Sequence, residues 1–228
     1  MTNRLFVALP LPADVLRRAC ILHGVLAQAD GGRMVRWVRP EGLHITVAFV
    51  GNVEDTLTER VSQAVAEAAA ASRATACTLA FGPITVIPTQ ERPQVVWIAI
   101  DDVDGGAARL AAATRLSLRA QGIAIADAAF RPHVTLGRVR HGAGAFTVRS
   151  LGDNPQTAAG ALPRHVGVSE GDSQPTWQPD RIEVWVSTLG AGGSRYEVVS
   201  SHRFGEHAGR ARTIGDVRTT KSSRPRGE

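Results

Sequence analysis

The side chains best suited to acid–base work in this chain fall in two matched stretches. One is Leu43-His44-Ile45-Thr46-Val47-Ala48-Phe49 and the other is Pro132-His133-Val134-Thr135-Leu136-Gly137-Arg138. Each reads His-x-Thr, then an apolar residue, then a small one, inside a run with strand character. Side chains alternate faces along a strand, so His44 and Thr46 share one face while Ile45 and Val47 take the other. The same parity joins His133 to Thr135 and sets Val134 and Leu136 behind them. With 7 histidines in 228 residues, one His-x-Thr would mean little; a second copy in matching apolar surroundings is what carries weight.

Neutral imidazole accepts a proton and imidazolium gives one near neutral pH. Two of them on opposite sides of a substrate supply a base for the attacking group and an acid for the leaving group. Threonine hydroxyls can hydrogen-bond phosphate oxygens and steady the charge that builds there. These are the parts that in-line displacement at phosphorus requires. Metal binding is the competing use of histidine, but the chain has no His-x-His or Cys-x-x-Cys pair. A phosphate-cradling Gly-x-x-x-x-Gly-Lys loop is absent too.

The elements that must hold these residues follow from pattern. Residues 4–9 read as a strand ended by Pro10 and Pro12, and Val15, Ala19, Leu22 and Leu26 recur at helical spacing over 13–28. A short strand is predicted at 34–38, the first motif strand at 43–50, and a helix at 55–72 with Leu57, Val61, Ala64, Val65 and Ala68 on one face. Strands follow at 76–81, 84–87 and 94–101, punctuated by Pro83, Pro88 and Pro93. A helix over 106–121 should stop at Gly122. The second motif strand covers about 131–139, residues 141–180 read mostly as a long loop, and strands at 181–189 and 195–204 form a hairpin.

This order contains a duplication. Strand 4–9, helix 13–28 and His44 are echoed by strand 94–101, helix 106–121 and His133. Two similar α+β lobes would then present one His-x-Thr strand each to a shared cleft, about a pseudo-twofold axis.

Composition bounds the class. Apolar content of 43% and charged content of 21% are those of a globular protein, and residues 1–205 suit a single domain of two lobes. No apolar run reaches the roughly 18 residues of a membrane span. Cys20 and Cys77 form no disulfide framework, so buried thiols in a reducing, cytoplasmic setting are expected. Net charge is +5, of which residues 206–228 hold +3: Arg210, Arg212, Arg218, Lys221, Arg224 and Arg226 against Glu206, Asp216 and Glu228. That basic stretch, poor in apolar residues, reads as a disordered tail. No obligate protein partner is evident, and a monomer is expected.

The paired HITV (44–47) and HVTL (133–136) resemble the motifs of the two-histidine phosphoesterase superfamily. More closely, RLFVALPLP, RWVRPEGLHITVAFVGNV (36–53), RPHVTLGRVR (131–140) and SRYEVVSSHRF (194–204) resemble the RNA 2′,3′-cyclic phosphodiesterases, once called 2′-5′ RNA ligases. The resemblance covers about residues 4–204, and residues 141–180 match least. It implies a bilobal fold with antiparallel sheet inside and helices outside. It implies that His44 donates a proton to the leaving oxygen, His133 activates water, and Thr46 and Thr135 hold the phosphate. Arg138 matches the family's basic residue after the second motif, and Phe49 could touch base or ribose. Strand parity places both on the face opposite the histidines, so either role requires a twist or bulge. Trp37, Trp97, Trp177 and Trp185 are expected in the core, and the other five histidines are expected as ordinary helix, loop or tail residues. No cofactor is implied. The expected activity is metal-independent opening of terminal 2′,3′-cyclic phosphates on RNA. The alternatives are the same chemistry on another cyclic phosphate, such as a cyclic nucleotide or ADP-ribose cyclic phosphate, or on a 2′-5′ linked oligonucleotide, including reversible 2′-5′ ligation, and a non-catalytic RNA-end binder.

Overall fold

The computed structural model describes residues 2–72, 77–89, 92–141, 175–190 and 193–204. Eight strands are named in chain order: β1 (Thr2–Pro10), β2 (Val35–Trp37), β3 (His44–Glu54), β4 (Leu79–Pro88), β5 (Pro93–Asp102), β6 (His133–Val139), β7 (Arg181–Gly190) and β8 (Gly193–Arg203). Among the described residues three α-helices accompany them: α1 (Ala13–Gln28), α2 (Thr58–Ala71) and α3 (Gly106–Ala120).

The strands join into one antiparallel sheet in the order β4-β5-β6-β3-β1-β7-β8, with β2 paired to β6. Its two halves meet where β3 pairs with β6, Ile45 opposite Val134. On one side of that seam lie β3, β1 and the β7–β8 hairpin; on the other lie β6, β5, β4 and β2. The expected lobes are therefore the halves of a continuous sheet. The C-terminal hairpin completes the N-terminal half, and β2 crosses to the other.

The three helices cover one face. α1 buries Val15, Ala19, Leu22 and Leu26, the residues its spacing singles out. α2 buries Val61, Ala64, Val65 and Ala68 against β7 and β8. α3 starts where the Asp102 carboxylate accepts the Ala107 and Ala108 N–H groups at 3.1 and 2.8 Å. It stops at Gly122, whose φ of 74° suits a residue without Cβ. These helices and the facing side chains of the sheet (Leu5, Val7, Leu9, Ile45, Val47, Val134, Leu136) make one buried core. Each such aliphatic side chain contributes about 1.5–3 kcal/mol by leaving water, so the motif strands are pinned from behind.

Three expectations need correction. Residues 79–88 form one strand, not two, because β4 runs through Gly82-Pro83 with a register shift between Phe81 and Ile84. β3 continues past Gly51, which takes φ of 85° without ending it. Trp177, at the end of the expected loop, is 8% exposed and bridges Leu79. The rest of that loop and the basic tail 206–228 lie outside the described residues. So does Gly167-Val168-Ser169-Glu170-Gly171, which matches the Gly-x-Ser-x-Gly pattern of serine hydrolases.

Candidate active site

Because Ile45 faces Val134 in an antiparallel pair, His44 lies across from Thr135 and Thr46 across from His133. The two imidazoles are then diagonal neighbours on one face of the seam, about 7–8 Å apart at the backbone. β1 and β5 flank them in the same register: Ala8 pairs with Thr46, and Trp97 pairs with Thr135.

Each imidazole is held by the carbonyl two residues before it. His44 Nδ1 donates to the Gly42 oxygen at 2.8 Å and His133 Nδ1 to the Arg131 oxygen at 2.7 Å. A carbonyl only accepts, so Nδ1 carries the proton in both rings and Nε2 is left for chemistry. His44 Nε2 lies 3.1 Å from Thr46 Oγ1. The hydroxyl donates to it while the ring is neutral.

Aromatic rings fix the planes. His44 packs on Phe6 at 4.9 Å and Trp185 at 5.0 Å between ring centroids, with Tyr196 edge-on at 5.5 Å. His133 lies against Trp97 at 4.1 Å. Trp177 and Trp185 are core as expected, but Trp97 and Trp185 also serve the site as walls for the imidazoles, which sequence pattern alone did not signal. Glu183, itself buried, accepts from Trp185 Nε1 at 2.9 Å and from Arg181 Nε at 2.7 Å, which locks the indole. Burial pushes the His44 pKa down to about 4; the Gly42 bond opposes this and nearby His133 adds to it. Burial also lowers His133, against the pull of its Arg131 bond. Both shifts favour the neutral ring at pH 7.

The bulge that Phe49 and Arg138 require is present twice. Between β1 and β3 the register passes from Ala8↔Thr46 to Val7↔Ala48, leaving Val47 without a partner. Between β5 and β6 it passes from Trp97↔Thr135 to Val96↔Gly137, leaving Leu136 out. In both strands two consecutive residues turn inward, and the fifth residue after the histidine returns to the histidine face. Phe49, 63% exposed, meets Phe6 at 6.2 Å and lines a cleft of about 190 Å³ with Thr46, Phe130, Arg131 and His133. Arg138 lines a separate groove that reaches Gly42 and Tyr196 beside His44. The small residues Ala48 and Gly137 were the available signal. A Cβ on Gly137 would collide with the Val35 side chain and lie 3.1 Å from the Arg36 carbonyl oxygen, so only glycine lets β2 lie against β6 there.

The remaining described histidines lie elsewhere. His23 is on α1 against Trp37. His202 is on β8, not in a loop, buried with Ser62 and Ser200. Among the described residues no three His, Cys, Asp or Glu side chains converge as a metal site.

The family model of the LigT-like phosphoesterases matches residues 9–97, which include the first histidine motif. An RNA 2′,3′-cyclic phosphodiesterase of Archaeoglobus fulgidus is 29% identical over 137 residues, 60% of this chain and 73% of that protein. One of the same name from Aeropyrum pernix is 29% identical over 112 residues, 49% of this chain and 61% of that protein. Over these residues the chain is similar to the LigT-like phosphoesterases. Solved structures agree on the LigT-like fold. TT0787 of Thermus thermophilus superposes with a TM-score of 0.63 at 20% identity, over 89% of this chain and 98% of that one. E. coli LigT complexed with 3′-AMP gives 0.61 at 18% identity, over 90% and 100%. The second motif lies beyond the matched residues, and the paired strands bring it to the first.

Proposed function

We propose that the protein hydrolyses terminal 2′,3′-cyclic phosphates on RNA to 2′-phosphomonoesters, with His44 and His133 as its acid and base. The observation that carries this reading is the pair of imidazoles with matched Nδ1–carbonyl bonds on two paired strands, on one face of the seam between them. The names of the two curated relatives supply the substrate class.

In the proposed reaction His133 Nε2 takes a proton from water as the water oxygen attacks phosphorus. The bond from phosphorus to O3′ breaks, and His44 Nε2 returns a proton to that oxygen. The 2′-phosphate remains and the 3′-hydroxyl is freed. Burial favours neutral His44, so its proton has to be taken up as the anionic phosphate enters. Thr46, released from His44 Nε2 once that nitrogen carries a proton, and Thr135 hold the non-bridging oxygens. Phe49 offers a face to the terminal base or ribose. The chemistry uses no metal, and the protein acts as a cytoplasmic monomer; its two cysteines are free.

Hydrolysis of an oligoribonucleotide ending in 2′,3′-cyclic phosphate, followed in EDTA, tests the reading. Turnover that persists and yields the 2′-phosphate supports it. Activity abolished by EDTA, or a 3′-phosphate product, overturns it.

A further inference from the structure

The groove beside His44 holds more charge than a terminal cyclic phosphate needs. Its volume is about 370 Å³, and Arg36, Arg39, Arg138 and Arg195 line it together with Trp37 and Tyr196. Two carboxylates, Glu41 and Glu197, face the same space, so guanidiniums outnumber them two to one. None of the four arginines makes an ion pair or side-chain hydrogen bond among the described residues. Moreover, Arg36 and Arg138 stand directly opposite each other where β2 pairs with β6. Like charges facing across a strand pair destabilise it. An anion between them removes that repulsion, and a planar guanidinium can grip phosphate with two parallel bonds.

Location says which anion. The groove includes Gly42, whose carbonyl holds His44, and Tyr196, whose ring edge meets His44. The apolar cleft with Phe49 opens beyond His133, at the other end of the two-histidine pair. A nucleoside in that cleft, with its cyclic phosphate between the imidazoles, leaves the groove for whatever precedes it. Arginines interleaved with aromatic faces suit a single strand, since backbone charge and base stacking are met together. We propose that this groove is a second anion site that holds internucleotide phosphates on the 5′ side of the cyclic end, so that the preferred substrate is an RNA strand and not a cyclic mononucleotide. This rests on the hydrolytic reading above and adds to it the length of chain recognised.

The test compares kcat/KM for a 2′,3′-cyclic mononucleotide and for a tetranucleotide ending in the same cyclic phosphate. The parent protein is expected to favour the tetranucleotide by about tenfold or more at low salt, with a log–log salt slope of roughly −0.7 for each phosphate held. Arg36→Gln and Arg195→Gln should each lower the tetranucleotide-to-mononucleotide ratio, and together bring it near one. Arg17→Gln, on the exposed side of α1, should not move it. A ratio near one in the parent, or one unchanged in the double variant, overturns the proposal and leaves the hydrolytic reading standing. If a cyclic mononucleotide carrying a 5′-pyrophosphate recovers the whole preference, the groove takes a terminal anion and the strand proposal falls. Fluorescence anisotropy with a labelled oligoribonucleotide ending in a plain 3′-phosphate needs no catalysis. Binding there that depends on Arg36 and Arg195 supports the groove even if no cyclic phosphate is opened, the result that would sink the hydrolytic reading alone.

Discussion

Two imidazoles that share one proton's worth of work set the expectations at the residue scale. His44→Ala and His133→Ala should each lower turnover roughly 10²–10⁴-fold, the usual contribution of a positioned acid or base. The double change should cost far less than the product, because groups acting as a unit are not additive. Burial lowers both pKa values in the free protein. The pH profile of kcat/KM, which reports free enzyme, should therefore be a bell centred below pH 6.5, with apparent values belonging to the coupled pair. The kcat profile should lie at higher pH, since bound phosphate favours imidazolium. Bells centred at or above 6.5 in kcat/KM would show that the imidazoles are not desolvated as described. Phe49 offers a separate reading: it is largely exposed, so Phe49→Ala should leave the melting temperature alone. Loss of base–aromatic stacking, about 1–3 kcal/mol, should cut kcat/KM roughly five- to 150-fold, mostly through KM. The His and Thr positions were legible because a repeated triplet with strand parity fixes type and face together. The indoles of Trp97 and Trp185 were not. What places them on the imidazoles is the pairing of β5 with β6 and of β7 with β1, which no local pattern encodes.

At the scale of elements, periodicity located α1 and α3 closely because each buries one clean stripe between strong stop signals. It failed where a strand changes parity. Simple alternation sends Phe49 and Arg138 to the core side, yet the doubled inward residues Val47-Ala48 and Leu136-Gly137 return both to the histidine face. An apolar residue followed by a small one is too weak a signal to announce a bulge. The unpaired residue only becomes visible against the neighbouring strand, Val47 beside β1 and Leu136 beside β5. Gly137 tests the second bulge. Gly137→Ala forces a methyl into Val35 and the Arg36 backbone, overpacking that costs about 1–3 kcal/mol. Urea unfolding should show that loss, and hydrogen exchange should show it concentrated in β2. An unchanged midpoint would mean that β2 does not lie against β6 as described.

The whole molecule carries its histidines at a cost that only pH reveals. His23, His44, His133 and His202 are all lowered from the ordinary value of 6.5, and burial is the first cause in each. A histidine with a depressed folded pKa binds its proton more readily when the chain is unfolded. Stability is then fully present above pH 6.5 and falls as pH drops below it. For His44 the fall ends near pH 4, where the folded form takes the proton too. Within that window one such group contributes at most about 1.4 kcal/mol per pH unit. Asp104, whose bonds to Gly106 and Thr78 outweigh the upward push of desolvation, is held below the usual carboxylate range and so acts at lower pH. The melting temperature should therefore drop between pH 7 and 5. His44→Gln, which removes the most strongly depressed of these groups while keeping a polar side chain, should flatten the drop. An equal drop in parent and variant would assign the acid sensitivity to other groups and contradict the neutral, desolvated His44 on which the proposed proton uptake depends.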